Sequence, residues 1–267
     1  MKIAKGQVPP YPRIRGKMID IRYPCYVEWK LDGEANVYHN STLINKSSGK
    51  TRTDFPVTTL LEATFDVNTV LFGELYWADG KAGALYSLLS HAKDDALKFG
   101  VFDAIHPDIA NANYEDRRAW LSDKFTNSPI KLSEKHVHII DAVYCETPDE
   151  VEAQVGDSKV LGYEGVVVKN VDSRLILNGR LIQQQLGWVK RKHIETVDVP
   201  ITHIDEMLER MEIEYNGRKV GVKLNNKYKP SVKVGDVVEV EHMGVLNGGG
   251  LRHPVYRGKN ITKGGTK

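Results

Sequence analysis

Cysteine is nearly absent. The 267 residues hold two, Cys25 and Cys145. They are distant in sequence, match no metal-ligand spacing and make no disulfide framework, so a reducing compartment is expected. Long apolar runs are absent too. None approaches the ~18 residues of a membrane span, and the opening "MKIAKGQVPPYPRIRGK" has no apolar segment of the signal-peptide kind. These absences predict a cytoplasmic protein with no membrane partner. The Asn40-Ser41-Thr42 and Asn260-Ile261-Thr262 triplets are then chance glycosylation patterns. No repeat of 20–50 residues is visible. Strong charge of one sign is missing as well, since the net charge is +2. The balance is uneven, however. From Trp188 onward there are fifteen Lys/Arg against ten Asp/Glu, a mild bias that suits an anionic partner.

What is present is a chain with 41% hydrophobic residues, ample for one large or two smaller cores. Up to about residue 193, short apolar stretches read as strands: "YVEWKL", "TVLFGELYW", "LKFGVFDAI", "HVHIIDAVYC", "EGVVVKN" and "LGWVKRK". Helical patterns lie between them in "TTLLEAT", "GALYSLLSHAK", "YEDRRAWLSDKF" and "TPDEVEAQVGDS". The pattern is α+β with mostly antiparallel strands. Beyond Glu195 the texture changes. Short strands joined by Gly, Asn and Pro turns predict a small antiparallel barrel. The expected domains are 1–194 and 195–267, with a frayed basic end in "RGKNITKGGTK".

The stretch "YVEWKLDGEANVYH" has a peculiar face. Strand residues alternate sides. Glu28, Lys30 and Asp32 would therefore project together, opposite Val27, Trp29 and Leu31. A nucleophilic lysine must lose its proton near neutral pH, against a usual value of about 10.4. Burial and nearby cations help, whereas carboxylates alone oppose it. The acids make sense if a metal ion or further lysines stand opposite them. Lys169 in "YEGVVVKN", and Lys190 and Lys192 in "GWVKRKH", supply such lysines. Taken singly, each piece has a bland alternative as a turn or a solvated strand face.

In order, the chain shows "EWKLDGE", "FGELYW", "FGVFDAI", "YEGVVVK", "WVKRK" and "LRHPVYRGK". This series resembles the covalent nucleotidyltransferases, and most of all the small ATP-dependent DNA ligases. The resemblance covers nearly the whole chain after residue 25. It implies an antiparallel-sheet nucleotidyltransferase (adenylation) domain followed by a small OB-fold barrel. It also implies a monomeric ligase of DNA repair, replication or recombination that seals nicks in duplex DNA.

The resemblance assigns roles by position. Lys30 would be the nucleophile that takes AMP from ATP, with Trp29 and Leu31 beside it in the nucleotide pocket. Glu28 would read the adenine amino group, and Phe102 would stack on the adenine. The alternative for Phe102 is a core aromatic. Glu74 and Glu164 would contact ribose or metal, with Asp32 on the metal side, and the metal would be Mg²⁺ with Mn²⁺ as a substitute. Lys169, Lys190 and Lys192 would hold the α-phosphate. In the second domain Arg252, Arg257 and Lys259 would close over ATP or touch nucleic-acid phosphates. The segments 178–187 and 243–253 are candidates for embracing the duplex, with Arg180 reaching the nick. No extra N-terminal module of the NAD-dependent type is seen, which favours ATP.

The chain departs from the family pattern twice. Ala35 stands where the family has an arginine two residues after the motif glycine. The next motif, a Ser-Arg pair, becomes "LINKSSGKTR". Lys46 best matches the arginine that grips a 5′-phosphate, with Lys50 and Arg52 as rivals, and a charged turn is the plain alternative. The missing arginine keeps an RNA ligase open. A capping guanylyltransferase and a non-catalytic nucleic-acid-binding protein are the other readings.

Overall fold

A computed structural model describes residues 9–12, 14, 16–53, 56–77, 97–128, 136–176, 187–205, 207, 209–224, 232–246 and 248–259. The chain divides into two compact units, Met1–Arg191 and Lys192–Lys267. The first contains β1 (Cys25–Lys30), β2 (Glu34–His39), β3 (Thr42–Asn45), β4 (Thr51–Arg52) and α1 (Pro56–Thr64). Then come β5 (Val70–Trp77), β6 (Leu97–Ile105), α2 (Tyr114–Thr126), β7 (Val137–Ile139), β8 (Ala142–Cys145), α3 (Pro148–Val160), β9 (Gly165–Asn170) and β10 (Trp188–Lys192). The last residue of β10 begins the second unit. The expected helix "GALYSLLSHAK" lies outside the described residues. Among the described residues, no helix is long and apolar enough to cross a membrane.

The helix starts follow local chemistry. Asn113 accepts a hydrogen bond from the Asp116 amide, and Thr147 accepts one from the Glu150 amide. Each cap satisfies an amide that the first turn leaves unpaired. Pro148 follows its cap, where a missing N–H costs nothing.

The strands form two sheets. The larger has the order β4-β3-β2-β5-β6-β7, and the smaller β10-β9-β1-β8. Alternation gives the larger sheet two different faces. One face packs Leu43, Leu71, Leu75, Phe99 and Val101 on Leu61 of α1 and Leu121 of α2. Each such fully buried side chain contributes roughly 1.5–3 kcal/mol. The other face sets Val37, Val70 and Phe72 against Tyr11, with Ala35 and Phe102 at its margin. In the smaller sheet, Cys25, Val27, Val166, Val168 and Val189 pack with Val151 of α3. The opposite face is left for Tyr26, Glu28, Lys30 and Lys169.

Two sequence expectations are corrected. The run "HVHIIDAVYC" is two strands in two sheets. β7 pairs parallel with β6, and β8 pairs antiparallel with β1. The chain crosses between sheets at exposed Asp141, and an apolar run carries no sign of such a crossing. Asp32 lies beyond the end of β1, so only Glu28 and Lys30 share the strand face. The cysteines, distant in sequence, are direct cross-strand partners in the β1–β8 ladder. Both are free and buried, and burial, with Cys145 beside it, pushes the Cys25 thiol up to about 12.

The second unit contains β11 (Glu195–Asp205), β12 (Arg210–Tyr215), β13 (Arg218–Lys223), β14 (Val237–His242) and β15 (Val255–Lys259). They close into a barrel of order β11-β12-β13-β15-β14. The core is Val199, Ile201, Met211, Ile213, Val222, Val238, Val240 and Tyr256. The expectation of a wholly antiparallel barrel is corrected here. β13 and β15 run parallel, because a closed ring of five strands cannot alternate direction all the way round. Five strands closed in this way make an OB-fold barrel. Asn216 and Gly217 link β12 to β13 with φ of 50° and 72°. Two successive positive φ values are what a two-residue hairpin turn of this hand requires.

Candidate nucleotide site

Lys30 ends β1, and its cross-strand partner is Gly165 of β9. That pairing brings Glu164 beside it. The Lys30 ammonium bonds the Glu164 carboxylate, and both side chains are mostly buried. The Glu164 amide also donates to the Lys30 carbonyl at 3.0 Å. The two residues are therefore fixed through backbone and side chain alike.

Glu74 joins them from β5. Its carboxyl is pushed up to about 7, first by burial and also by Glu164, while Lys30, Lys46 and Lys190 pull it down. Those influences make Glu74, Glu164, Lys30, Lys46 and Lys190 one electrostatic neighbourhood. Lys190 and Lys192 share a face of β10, and both are exposed. Among the described residues, no three His, Cys, Asp or Glu side chains gather as a ready-made metal site. Asp32, Glu74 and Glu164 are thus not a three-acid cage. Glu74 and Glu164, two carboxylates of this one electrostatic neighbourhood, still fit Mg²⁺, which is held through one or two carboxylates together with substrate phosphates.

Gly33 explains why a glycine follows Asp32. A Cβ there would lie 2.3 Å from the Leu75 carbonyl oxygen. The need is close approach of two backbones, not a positive φ.

Glu28 and Lys169 stand deeper. The Lys169 ammonium lies 2.6 Å from Glu28 Oε2, with side chains 1% and 2% exposed. It also donates to the Phe102 carbonyl at 3.1 Å. It sits over the rings of Trp188, Tyr114 and Phe102 at 4.1, 4.5 and 5.1 Å. Burial lowers the Lys169 pKa, with Glu28 acting against it. The other Glu28 oxygen accepts from the Tyr114 hydroxyl, and Arg118 stands 3.7 Å from it. So the structure directs Lys169 to Glu28, while Lys190 stands in the neighbourhood of Glu74. Sequence reasoning missed Tyr114 and Arg118. The only signal was their i, i+4 spacing on one face of α2.

Phe102 is boxed in by other rings. Its centroid lies 5.9 Å from Tyr11, 6.2 Å from Trp188 and 6.5 Å from Phe72. Trp29, on the opposite face of β1 from Lys30, stacks on Tyr163 at 5.3 Å with planes 5° apart. Leu31 is buried.

The three basic residues of "LINKSSGKTR" separate. Arg52 is buried and holds Glu34 through two bonds, of 2.6 and 3.2 Å. Glu34 lies on the opposite face of β2 from Ala35. Lys50 is exposed on the turn after β3. Lys46 alone of the three lies in the neighbourhood of Glu74. Its amide donates to the Ala35 carbonyl at 3.0 Å, and Ala35 is the cross-strand partner of Glu74.

In the barrel, Arg257 makes two bonds of 2.6 Å to Glu241. Lys259 lies 2.8 Å from Asp236 and lowers its carboxyl pKa. The Arg252 amide donates to the Gly244 carbonyl and its carbonyl accepts from Met243, closing the base of the 243–253 hairpin. Lys192 Nζ lies 3.8 Å from Met243 Sδ. Arg180 lies outside the described residues, as does almost all of 178–187.

Solved structures share this architecture. A Lig E DNA ligase, described as binding DNA with a minimal scaffold, superposes with a TM-score of 0.75 at 16% identity, over 95% of this chain and 100% of its own. The chain has the fold of ATP-dependent DNA ligases. The ligase domain of LigD from M. tuberculosis matches with a TM-score of 0.54 at 18% identity, over 97% of this chain and 98% of its own. The chlorella virus DNA ligase-adenylate matches at 0.55 and 16%, over 94% and 96%. No protein-family model matches the sequence, and neither does any curated protein sequence.

Proposed function

We propose that the chain is an ATP-dependent DNA ligase that seals nicks between a 3′-hydroxyl and a 5′-phosphate. The observation that carries this reading is the Lys30–Glu164 pair, set in one neighbourhood with Glu74, Lys46 and Lys190. Phosphoryl transfer is chiefly positioning and charge neutralisation, and this set offers both.

In the first step the Lys30 nitrogen bonds the α-phosphorus of ATP. The bond to the bridging oxygen breaks, and pyrophosphate leaves. Glu164, already bonded to Nζ, is the nearest acceptor for the proton that Lys30 gives up. Lys190 and Lys46 neutralise phosphate oxygens. Mg²⁺ held by Glu74 and Glu164 would take charge off the same oxygens. Phe102 offers its ring to adenine. Glu28, buried and bonded by Lys169 and Tyr114, is linked to Phe102 through the Lys169 bond to the Phe102 carbonyl. The AMP then passes from Lys30 to the 5′-phosphate of a nick, and the 3′-hydroxyl displaces it. DNA binding rests on phosphate contacts, to which Arg252, Arg257 and Lys259 contribute, and so weakens steeply with salt.

Incubation with labelled ATP and Mg²⁺ tests this reading. Label that survives denaturation in wild type and is lost in Lys30→Ala is the expected result. No adduct, or an adduct that persists in Lys30→Ala, would overturn it. Label from GTP instead of ATP would point to a capping activity. Sealing of nicked RNA in preference to nicked DNA would move the assignment to RNA ligation.

A further inference from the structure

Tyr11 precedes the first strand by more than a turn of chain, and nothing in the motif series includes it. It is nonetheless buried, at 9% exposure, against the site face of the larger sheet. Its ring meets Phe72 at 5.8 Å and 87°, and Phe102 at 5.9 Å and 77°, both edge-to-face. The Lys46 ammonium lies over the same ring, 4.7 Å from its centroid. Such placement of a cation over an aromatic face is attractive, and more so where water is excluded. Lys46 is anchored at its other end by the bond from its amide to the Ala35 carbonyl. A single ring thus touches both the aromatic that faces the base and the lysine in the phosphate neighbourhood. Tyr11 also interacts with Glu74, which adds to the effect of burial in raising its hydroxyl pKa.

We propose that Tyr11 is a positioning residue of the nucleotide site, whose ring holds Lys46 over the pocket and braces Phe102 from the side. The proposal rests on the nucleotide reading of the site for its consequence, but not for its geometry. A lysine on a flexible four-carbon stem samples many rotamers. A ring beneath its ammonium restricts them to those aimed into the site. With Ala35 contributing no charge at its own position, Lys46 is the cation next to this strand pair whose charge acts on Glu74. The ring, and not the hydroxyl, does the holding, so phenylalanine should serve in its place.

Two measurements separate the geometry from its consequence. The first is the ring-current shift of the Lys46 ε-methylene protons by NMR. It is expected in wild type and Tyr11→Phe, and lost in Tyr11→Leu. Unshifted Lys46 protons in wild type would overturn the proposal, whatever the protein catalyses. The second is a double-mutant cycle in the KM for ATP during self-adenylation. Tyr11→Leu should raise KM about tenfold with little change in the limiting rate, and Tyr11→Phe should stay within about twofold. On a Lys46→Met background, Tyr11→Leu should have a clearly smaller effect, the part that comes from Phe102. An undiminished effect on that background, or a Lys46→Met variant with wild-type KM, would overturn the positioning role. A shift that is present in a protein forming no adduct would leave the hold intact and remove the nucleotide reading instead.

Discussion

Lys169 and Glu28 form an ion pair at 2.6 Å with almost no exposed surface. It links β9 to β1, and through Tyr114 and the Phe102 carbonyl it reaches α2 and β6. Removing one partner strands a buried charge, which typically costs about 3–5 kcal/mol. Glu28→Leu and Lys169→Met should each lower the unfolding free energy of the first unit, measured by denaturant titration, by about that amount. The double variant should recover much of the loss. Additive losses in the double variant would show that the pair is not energetically joined.

Glu74 ties stability to pH. Its folded value, about 7, lies above the ordinary 4.5. A carboxyl raised on folding contributes stability that is fully present below about 4.5 and is lost as pH rises through about 7. Thermal midpoints measured without Mg²⁺ should therefore fall across this window more steeply in wild type than in Glu74→Gln. Parallel curves would remove the assignment.

Gly33 is held 2.3 Å, at its would-be Cβ, from a backbone oxygen of β5 and 2.9 Å from Tyr76 Cβ. Neither neighbour is the end of a flexible side chain. Gly33→Ala should cost roughly 2 kcal/mol or more, read as a drop in thermal midpoint with reduced labelling of Lys30. A variant as stable and as active as wild type would contradict the close approach.

Arg52 and Lys46 should behave differently on DNA. Arg52 is buried against Glu34, so Arg52→Met should destabilise the fold yet leave the salt dependence of DNA binding unchanged. Lys46→Met should keep the fold and reduce the salt slope by about one. The reverse pattern would exchange their roles.

Local order and covalent neighbourhood were legible in the chain itself. The α2 and α3 helices follow from the patterns "YEDRRAWLSDKF" and "TPDEVEAQVGDS". β6 follows from the alternation in "LKFGVFDAI", and the Asn216-Gly217 hairpin from its turn chemistry. The shared face of Glu28 and Lys30 follows from strand period alone. The same period could not say that Asp32 lies past the strand end, nor that "HVHIIDAVYC" divides between two sheets. Periodicity reports which side a residue takes, whereas pairing between distant strands decides what it meets there. Tertiary structure alone set Glu164 on Lys30, turned Lys169 toward Glu28 and brought Tyr114 and Tyr11 into the site. It also drew Arg52 into the fold while leaving Lys46 beside Glu74. Each of these outcomes depends on strand register and burial, which arise from the sum of many weak contacts spread along the chain. No single spacing encodes them.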